Sequence, residues 1–298
     1  QKMVKRMHVV INPASGQPQP VLHTVNLICG ELGVDWDASI TKESGDGHRF
    51  AREALASGVD VVVAFGGDGS VMEVASALMG SQVPVAILPG GTANVMSTEL
   101  RIPGDLTQAC QLACGQNSTT KTVDMGQVGE QTFMLRVAIG FDADHVIGAT
   151  REMKDRYGEL AYTISAVQQM EHPTTACYQL TLDGEDFEVE GVTCRLDNSG
   201  NFGHGLSFSK ETSVSDGLLD VTIVRDAGLR SVKSVLSDAV GHGTPNSDAF
   251  HHWQAREITI DSDPPQNVIG DGELWGKTPI SAKVLPQAVR FVVPEEKK

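Results

Sequence analysis

One short stretch, VVVAFGGDGSVMEVASAL at positions 61–78, restricts the fold more than any other part of the chain. A nearly continuous run of Val and Ala over 59–65 leads into three glycines around Asp68, and a helical pattern over 70–79 follows. Continuous apolar runs of this kind are typical of parallel strands that are covered on both faces. A strand that leads directly into a helix therefore predicts one unit of a parallel α/β sheet.

The alternation of strands and helices continues through the first half of the chain. It predicts an α/β domain, in which a parallel sheet carries helices on both faces. In such sheets, ligands bind beyond the carboxyl ends of the strands. The predicted strands are 7–12, 35–41, 59–65 and 85–88, and the predicted helices are 21–32, 45–57, 70–79 and 93–100.

The second half follows a different pattern, which begins after about position 126. Short alternating strands are separated by turn residues, and Asp183-Gly184 between two such runs is a hairpin signal. Helices are predicted near 158–170 and 229–240. This half is therefore predicted to be mainly antiparallel, in the form of a β-sandwich. The 298 residues, of which 40% are hydrophobic, are enough for two such domains.

The charge and the apolar runs exclude several classes of protein. A net charge of −15 argues against binding to nucleic acid, which depends on clustered Lys and Arg. No apolar run approaches the roughly 18 residues of a transmembrane helix, and no segment has the order of a signal peptide. We therefore expect a cytoplasmic protein without a transmembrane segment, and a leader that preceded Gln1 is left open.

The five cysteines form no CxxC pair, which fits reduced, buried thiols in a cytosolic protein. Cys110 and Cys114 stand four residues apart on a predicted helix. For this pair, packing in the core is favoured over metal binding or redox chemistry.

Three glycine-bearing turns follow predicted strands: NPASG at 12–16, GGDGS at 66–70 and PGGTANV at 89–95. Glycine allows positive φ and lets a bulky anion approach the backbone. The N–H groups of such turns, with the positive end of a following helix, form a phosphate cradle. A carboxylate such as Asp68 fits beside phosphates when Mg²⁺ is held between them. The turns therefore predict a nucleotide site, although the Walker and GxGxxG motifs are absent.

Five motifs in their order resemble the soluble bacterial diacylglycerol kinase family, whose catalytic domain eukaryotic sphingosine and diacylglycerol kinases share. The resemblance covers the whole chain and implies a fold related to NAD kinase and phosphofructokinase. It implies a nucleotide-binding catalytic domain at 1–128, to which 286–298 returns, and a β-sandwich lipid-substrate domain at 129–285. The motifs are NPASG (12–16), GGDGSVME (66–73), GGTAN (90–94), DGLLD (216–220) and DGE (271–273).

The resemblance also implies an ATP site in the cleft between the domains. Residues 66–72 would hold the phosphates, and Asp68 would organise the catalytic Mg²⁺, partly through water. The residues implied in nucleotide binding are Asn12, Pro13, Ser15, Gly16, Thr41, Gly66, Gly67, Asp68, Gly69, Ser70, Val71, Met72, Glu73, Gly91, Thr92 and Asn94.

Two acidic loops of the second half complete the implied site. Phosphoryl transfer needs a base near the attacking hydroxyl, and the resemblance favours Asp271 as this base with Glu273 as a second acid. From the residues alone the two could exchange roles. The loop SVSDGLLDV (213–221) implies a separate Mg²⁺ site, in which the carboxylate of Asp216 acts with the backbone carbonyls of Ser213 and Leu218.

One position departs from the family pattern. Many members have an Asp after the Asn of the third glycine turn, where this chain has Val95. Either Asp124 supplies the missing charge near the catalytic metal or Mg²⁺ is held more loosely. This departure puts the substrate class and the rate in question more than the fold.

Three functions compete at this point. The first is an ATP- and Mg²⁺-dependent lipid kinase that works at the inner membrane surface, on diacylglycerol or a related lipid. The second is a kinase of a soluble acceptor, such as NAD kinase or phosphofructokinase, which use a similar GGDG turn but lack the INPASG match. The third is a non-catalytic binding protein, motivated by Val95 and opposed by the retention of Asp68, Asp271 and Glu273. The oligomeric state is open, with a homodimer as one option.

Overall fold

The computed structural model describes residues 4–16, 18–140, 175–200, 213–225 and 250–295. The helices predicted near 158–170 and 229–240 lie outside these residues.

The chain forms two compact units, one of residues 1–123 with 287–298 and the other of residues 124–286. Both boundaries fall inside long strands, Ser118–Val128 and Ile280–Pro294. The sequence places its boundaries at turn signals a few residues away, because a strand that passes from one unit to the next carries no turn.

The first unit contains a parallel sheet with helices. Its strands are β1 (Arg6–Ile11), β2 (Asp35–Ile40), β3 (Val61–Gly66) and β4 (Val85–Pro89), and its helices are α1 (Val21–Leu32), α2 (Asp46–Ala56), α3 (Asp68–Ala77), α4 (Val95–Glu99) and α5 (Leu106–Ala113). The strand order is β2-β1-β3-β4, and every neighbouring pair is parallel. The end of the last strand pairs in parallel with β4, through Phe291 and Val85.

Burial explains why these segments take their structures. All residues of β3 and β4 are buried, as expected for central strands with helices on both faces, whereas the edge strand β2 is largely exposed. Helix α1 buries Val21, Thr24, Val25, Ile28 and Cys29, which lie on one face at helical spacing. The α/β domain predicted from the sequence is confirmed.

The second unit is antiparallel. Its strands are β5 (Ser118–Val128), β6 (Gln131–Phe133), β7 (Arg136–Gly140), β8 (Ala176–Leu182), β9 (Glu185–Gly191), β10 (Thr193–Asp197), β11 (Leu219–Val224), β12 (Phe250–Ala255), β13 (Glu257–Asp263), β14 (Asn267–Gly270), β15 (Glu273–Lys277) and β16 (Ile280–Pro294). One sheet has the order β16-β13-β8-β9, and the other has the order β12-β11-β10-β7-β14-β15. Strands β5 and β16 continue into the first unit.

The two sheets of the second unit share one apolar core. Phe133, Ile139 and Tyr178 are completely or almost completely buried in it. The turn between β8 and β9 has positive φ at both Asp183 and Gly184, as a tight two-residue hairpin requires. The predicted antiparallel sandwich is thereby confirmed. Among the described helices of the chain, none has both the length and the apolar character needed to cross a membrane.

Candidate active site

The three glycine turns of the first unit meet at the carboxyl ends of β1, β3 and β4. The amide of Asn12 donates to the carbonyl of Phe65 at 3.0 Å, and the amide of Gly90 donates to the carbonyl of Gly66 at 2.9 Å. The Ser15 hydroxyl oxygen accepts a hydrogen bond of 3.3 Å from the amide of Gly67. The parallel sheet therefore brings together turns that are up to 75 residues apart, from 15 to 90, in the chain.

Two of these glycines are required by close approach of the backbone. A Cβ on Gly16, whose φ is +60°, would lie 1.8 Å from the carbonyl oxygen of Gly90. A Cβ on Gly91 would lie 2.5 Å from the Cα of Gly67. The turns thus pack backbone against backbone, which no residue with a side chain allows without displacement of a turn.

The start of α3 lies at this edge of the sheet and has the features of an anion-binding helix end. The helix begins at Asp68, with Gly67 as N-cap, and no side chain caps it. The first N–H groups of a helix have no partner within the helix, and the helix dipole adds positive potential there. Sequence patterning had the helix start at Ser70, whereas Asp68 and Gly69 already belong to its first turn. The GGDG turn is therefore the start of a helix as well as a loop, and a helix start of this kind can bind a phosphate.

The carboxylate of Asp68 connects the second glycine turn to the third. Its two oxygens accept hydrogen bonds of 3.0 Å each from the amides of Val95 and Met96, the first residues of α4. An ionised carboxylate that is held by backbone amides can also bind a hard cation. The carboxylate oxygens of Asp68 at the start of a helix are ligands of the kind that Mg²⁺ prefers, so this residue fits the predicted Mg²⁺ site.

Position 95, where we expect a departure from the family pattern, contributes a backbone donor. The side chain of Val95 is 2% exposed, so it packs in the interior while its amide binds Asp68. Helix α4 starts two residues later than the predicted 93, because Asn94 has a φ of 45° and lies in the left-handed region.

Two asparagines fix the shapes of the first and third turns. Asn12 donates to the Ser70 hydroxyl at 2.9 Å and accepts from the amide of Ala14 at 3.0 Å. Asn94 accepts from the amide of Gly91 at 3.0 Å and donates to the Gly91 carbonyl at 2.6 Å. Both amide side chains therefore position the turns.

Thr41 and Glu73 lie on either side of the start of α2. Thr41 follows β2, and its amide donates to the carbonyl of Ile11 at 2.9 Å. The carboxylate of Glu73 accepts from the amides of Gly45 at 3.0 Å and Gly47 at 2.8 Å. Glu73 therefore ties α3 to α2, a contact that local sequence does not indicate. Elsewhere on α3, Val71 is buried.

A cavity of about 380 Å³ lies beside the first glycine turn, and most of its lining is apolar. Pro13 and Ser15 of the predicted site belong to it, but the other residues were not among the predicted nucleotide contacts. Pro18 and Pro20 restrict the backbone of the loop after this turn. They are the sequence signal that could have indicated a rigid side of a cavity here. The other lining residues are Ile11, Gln19, Val21, Leu22, His23, Ile40 and Phe65.

The DGE motif of the second unit forms the tight turn between β14 and β15. Asp271 and Gly272 have positive φ values of 43° and 94°. The Asp271 carboxylate accepts three backbone hydrogen bonds, from Met134 at 2.8 Å, Leu135 at 3.1 Å and Arg136 at 3.0 Å.

Burial raises the pKa of Asp271 to about 6, and the three backbone N–H groups oppose this shift. Three of the roughly four lone-pair directions of the carboxylate are occupied, which leaves one on Oδ2. A fixed carboxylate with a pKa close to neutrality is suited to general-base catalysis. Glu273 begins β15 and is exposed.

Asn198 supports the loop that holds Asp271. Its Nδ2 donates to the carbonyls of Met134 at 2.8 Å and Asp124 at 2.9 Å, and its amide donates to the carbonyl of Leu135 at 2.8 Å. The side chain is completely buried. Asn198 therefore connects the segment 134–136, which binds Asp271, with the strand that carries Asp124.

The loop predicted to bind a second Mg²⁺ is organised around Asp216. Its carboxylate accepts from the amides of Ser213 at 3.3 Å and Leu218 at 3.0 Å. Burial raises the pKa of Asp216, and the nearby carboxylates of Asp220 and Asp124 raise it further. A hard cation would relieve this crowding of negative charge, so the carboxylates and loop carbonyls fit the proposed site. Asp124 also accepts from the amide of Gly217 at 2.7 Å.

Known proteins resemble this chain in both of its units. A family model described as "Diacylglycerol kinase catalytic domain" matches residues 6–128, and another described as "YegS C-terminal NAD kinase beta sandwich-like domain" matches residues 136–293. A "Probable lipid kinase YegS-like" of Klebsiella pneumoniae is 31% identical over 97% of this chain and 96% of its own length. A protein with the same description from Alcanivorax borkumensis is 30% identical over 98% of both chains.

A solved structure agrees as well. A protein described as "a putative diacylglycerol kinase" from Bacillus anthracis superimposes with a TM-score of 0.85, at 27% identity, over 98% of this chain and 97% of that one. The two family models together cover most of the chain, and the curated relatives match it along nearly their whole length. The chain therefore belongs to the YegS-like family of lipid kinases, which carries the catalytic domain of the diacylglycerol kinases.

Proposed function

We propose that this protein transfers the γ-phosphoryl group of ATP to the hydroxyl of diacylglycerol, with Mg²⁺, and forms phosphatidic acid. The observation that carries the proposal is the convergence of three glycine turns at the uncapped start of α3, with the Asp68 carboxylate beside it. The diacylglycerol kinase named among the structural relatives supports the choice of acceptor.

The first unit binds the donor. The first N–H groups of α3 hold the phosphates, while the amides of Gly67, Gly90 and Gly91 are bound within the turns and fix their shapes. Asn12 holds the first turn against α3 through the Ser70 hydroxyl. The apolar cavity between Pro13 and Ile40 takes the nucleoside, because an aromatic base gains from burial among apolar side chains. Thr41 directly follows Ile40, which lines this cavity at the end of β2.

Asp68 would hold the catalytic Mg²⁺, which neutralises charge on the phosphates when bound. The role of this chain's own residues is to keep the carboxylate fixed. The amides of Val95 and Met96 do so, because each binds one oxygen at 3.0 Å. Asp216, with the carbonyls of Ser213 and Leu218, would hold a second, structural cation in the other unit.

Asp271 takes the proton of the acceptor hydroxyl. As the proton moves to the remaining lone pair of Oδ2, the hydroxyl oxygen forms a bond to the γ-phosphorus, and the bond to the bridging oxygen breaks to release ADP. The products are the phosphorylated lipid, ADP and a proton that Asp271 returns to solvent. Glu273 is the second acid of the turn and lies two residues away on β15.

The acceptor is presented at a membrane surface, where the protein acts as a cytoplasmic, peripheral enzyme. Diacylglycerol has a free primary hydroxyl and two acyl chains, so its transfer into a protein site requires contact with the lipid phase. The relatives described as probable lipid kinases support a lipid acceptor in preference to a soluble one.

The test is transfer of label from [γ-³²P]ATP with Mg²⁺ to lipids in mixed micelles. The panel contains diacylglycerol, monoacylglycerol, a sphingoid base and phosphatidylglycerol, with NAD and fructose 6-phosphate as soluble acceptors. Labelled phosphatidic acid is the expected result. Label on a different lipid would correct the acceptor, and label on NAD or the sugar phosphate would overturn the lipid kinase. ATP binding without transfer to any acceptor would indicate a non-catalytic protein.

A further inference from the structure

Three cysteine thiols meet in the first unit, away from the glycine turns. Cys29 belongs to α1, Cys110 belongs to α5, and Cys114 follows the last residue of α5. Their sulfur atoms all lie within 4.8 Å of one another, and the sulfurs of Cys29 and Cys114 are 3.7 Å apart. All three side chains are buried, and none forms a disulfide.

The sequence spacing explains how the three sulfurs meet. Cys110 and Cys114 are separated by four residues, so they lie on the same face of the helical segment. Cys29 lies on the buried face of α1, which packs against α5. The triad therefore joins two helices that are separated by about 70 residues of chain, from 32 to 106.

The size of the triad matches a thiolate metal site. Zinc–sulfur bonds are about 2.3 Å long, and three sulfurs bound to one such ion lie roughly 3.8–4.0 Å apart in tetrahedral or trigonal geometry. The 3.7 Å separation between the sulfurs of Cys29 and Cys114 is close to these values, and the other two separations are no more than 4.8 Å. Small side-chain shifts would thus bring all three sulfurs onto one ion.

The triad lies at the carboxyl ends of both helices. Cys29 lies in the last turn of α1, which ends at Leu32, and Cys114 is the C-cap of α5. The carboxyl end of a helix carries partial negative charge, which opposes a free thiolate. The thiols therefore stay protonated without metal and lose their protons only as a cation binds. Cys194 provides a contrast, because it is equally buried but belongs to no such group among the described residues.

We propose that Cys29, Cys110 and Cys114 form a three-thiolate site for a soft divalent cation of the Zn²⁺ type. Binding displaces the thiol protons to solvent and links α1 to α5. Within the described residues, no fourth Cys, His, Asp or Glu joins the group. A water molecule therefore completes the coordination, and the ion stabilises the packing of the nucleotide-binding unit.

Cd²⁺ is the probe, because thiolate-to-Cd²⁺ charge transfer gives an ultraviolet absorption band that reports the number of bound sulfurs. The full chain is refolded without metal in reductant and titrated with Cd²⁺, and a second sample is refolded with Cd²⁺ present, since the site is buried. We expect one ion per chain, an absorption intensity typical of three thiolates and a higher melting temperature.

Cys29→Ala, Cys110→Ala and Cys114→Ala should each weaken Cd²⁺ binding by more than about 10-fold. Loss of a residue that only hydrogen-bonds to a metal ligand already costs about that much, and these variants remove a ligand itself. The matched controls are Cys194→Ala, which removes a buried thiol elsewhere, and Cys177→Ser. Both should bind Cd²⁺ as the unaltered protein does.

A readout without substitutions covers the case in which the alanine variants fail to fold. The Cd²⁺-loaded native protein is treated with iodoacetamide under mild denaturation, and the modified cysteines are located by mass spectrometry. Protection of Cys29, Cys110 and Cys114 relative to Cys177 and Cys194 supports the site. Equal modification of all five, or no Cd²⁺ band under either refolding condition, would overturn it.

Discussion

The glycine turns of the first unit leave the start of α3 without a side-chain cap, whereas in the second unit backbone N–H groups are directed at carboxylates such as Asp271 and Asp124. In the first case, we propose that the backbone is the ligand-binding group, so the residues nearest to it must be small. In the second case, we propose that the side chain of Asp271 is the reactive group, and the backbone fixes its position and opposes the rise of its pKa. A substitution should therefore affect binding in one unit and turnover in the other.

The largest expected effect is that of Asp271→Asn. Loss of the general base should lower kcat by about 10²–10⁴-fold and leave ATP affinity unchanged. In this variant an NH₂ group replaces Oδ2, so the backbone N–H of Met134 loses its acceptor. This loss should lower the free energy of unfolding by about 1–3 kcal/mol. Turnover, ATP titration and urea denaturation measure the three quantities.

The control for this variant is Asp261→Asn, which alters an exposed carboxylate on β13 and should change none of the three. Glu273→Gln tests the alternative assignment. If Glu273→Gln abolishes turnover while Asp271→Asn retains most of it, Glu273 is the base and Asp271 only supports the turn.

Val95→Asp tests the departure at the third glycine turn. It would bury a second carboxylate close to Asp68, because the Val95 side chain is buried and its amide binds Asp68. Without Mg²⁺, the free energy of unfolding should fall by about 3 kcal/mol. Addition of Mg²⁺ should restore a large part of this loss if the two carboxylates share the ion.

Val95→Asn is the matched control, since the Asn side chain has the same shape as Asp but no charge. Urea unfolding with and without Mg²⁺ compares the two variants. Equal destabilisation of both, with no response to Mg²⁺, would place the catalytic ion away from position 95.

Gly16→Ala should weaken ATP binding by about 10–100-fold, because the new Cβ would displace the Gly90 carbonyl from the third turn. Gly58→Ala is the control that distinguishes the effect of this close contact from the effect of placing Ala at a positive φ. Gly58 has a φ of +78°, but its Cβ would meet no atom within 4 Å. Isothermal titration with ATP should show normal affinity for Gly58→Ala, and a normal value for Gly16→Ala as well would contradict the role of the close packing.

The sequence predicts local features of this protein well, and its long-range contacts poorly. Apolar runs and glycines located β3, the GGDG turn and the following helix within two residues, because these signals are local. The contacts of Asp271 with residues 134–136, of Glu73 with α2, and of Cys29 with Cys114 join positions that are 26 to 137 residues apart. No periodicity encodes such pairs, since they depend on how complete elements pack.

The smallest effect is the pH dependence that follows from Asp271. Its pKa is raised to about 6, so the base loses activity as the pH falls below 6, by at most tenfold per unit. Stability should change in the opposite direction, since a carboxyl whose folded-state pKa is raised stabilises the fold at low pH and loses that contribution as the pH rises from about 4 to 6. Rate and unfolding profiles from pH 4 to 8 measure both, and Asp271→Asn should remove both trends. If the rate and stability of Asp271→Asn change with pH as those of the unaltered protein do, other groups cause both trends.

The most direct measurement combines ATP affinity and phosphatidic acid formation for Gly16→Ala and Asp271→Asn in one preparation. A kinase in which the first unit binds ATP and the second supplies the base predicts opposite patterns for the two variants. Gly16→Ala should lose affinity but regain much of its rate at saturating ATP, and Asp271→Asn should bind ATP normally without turnover. If both variants lose affinity and rate in the same proportion, the separation of binding and catalysis is contradicted.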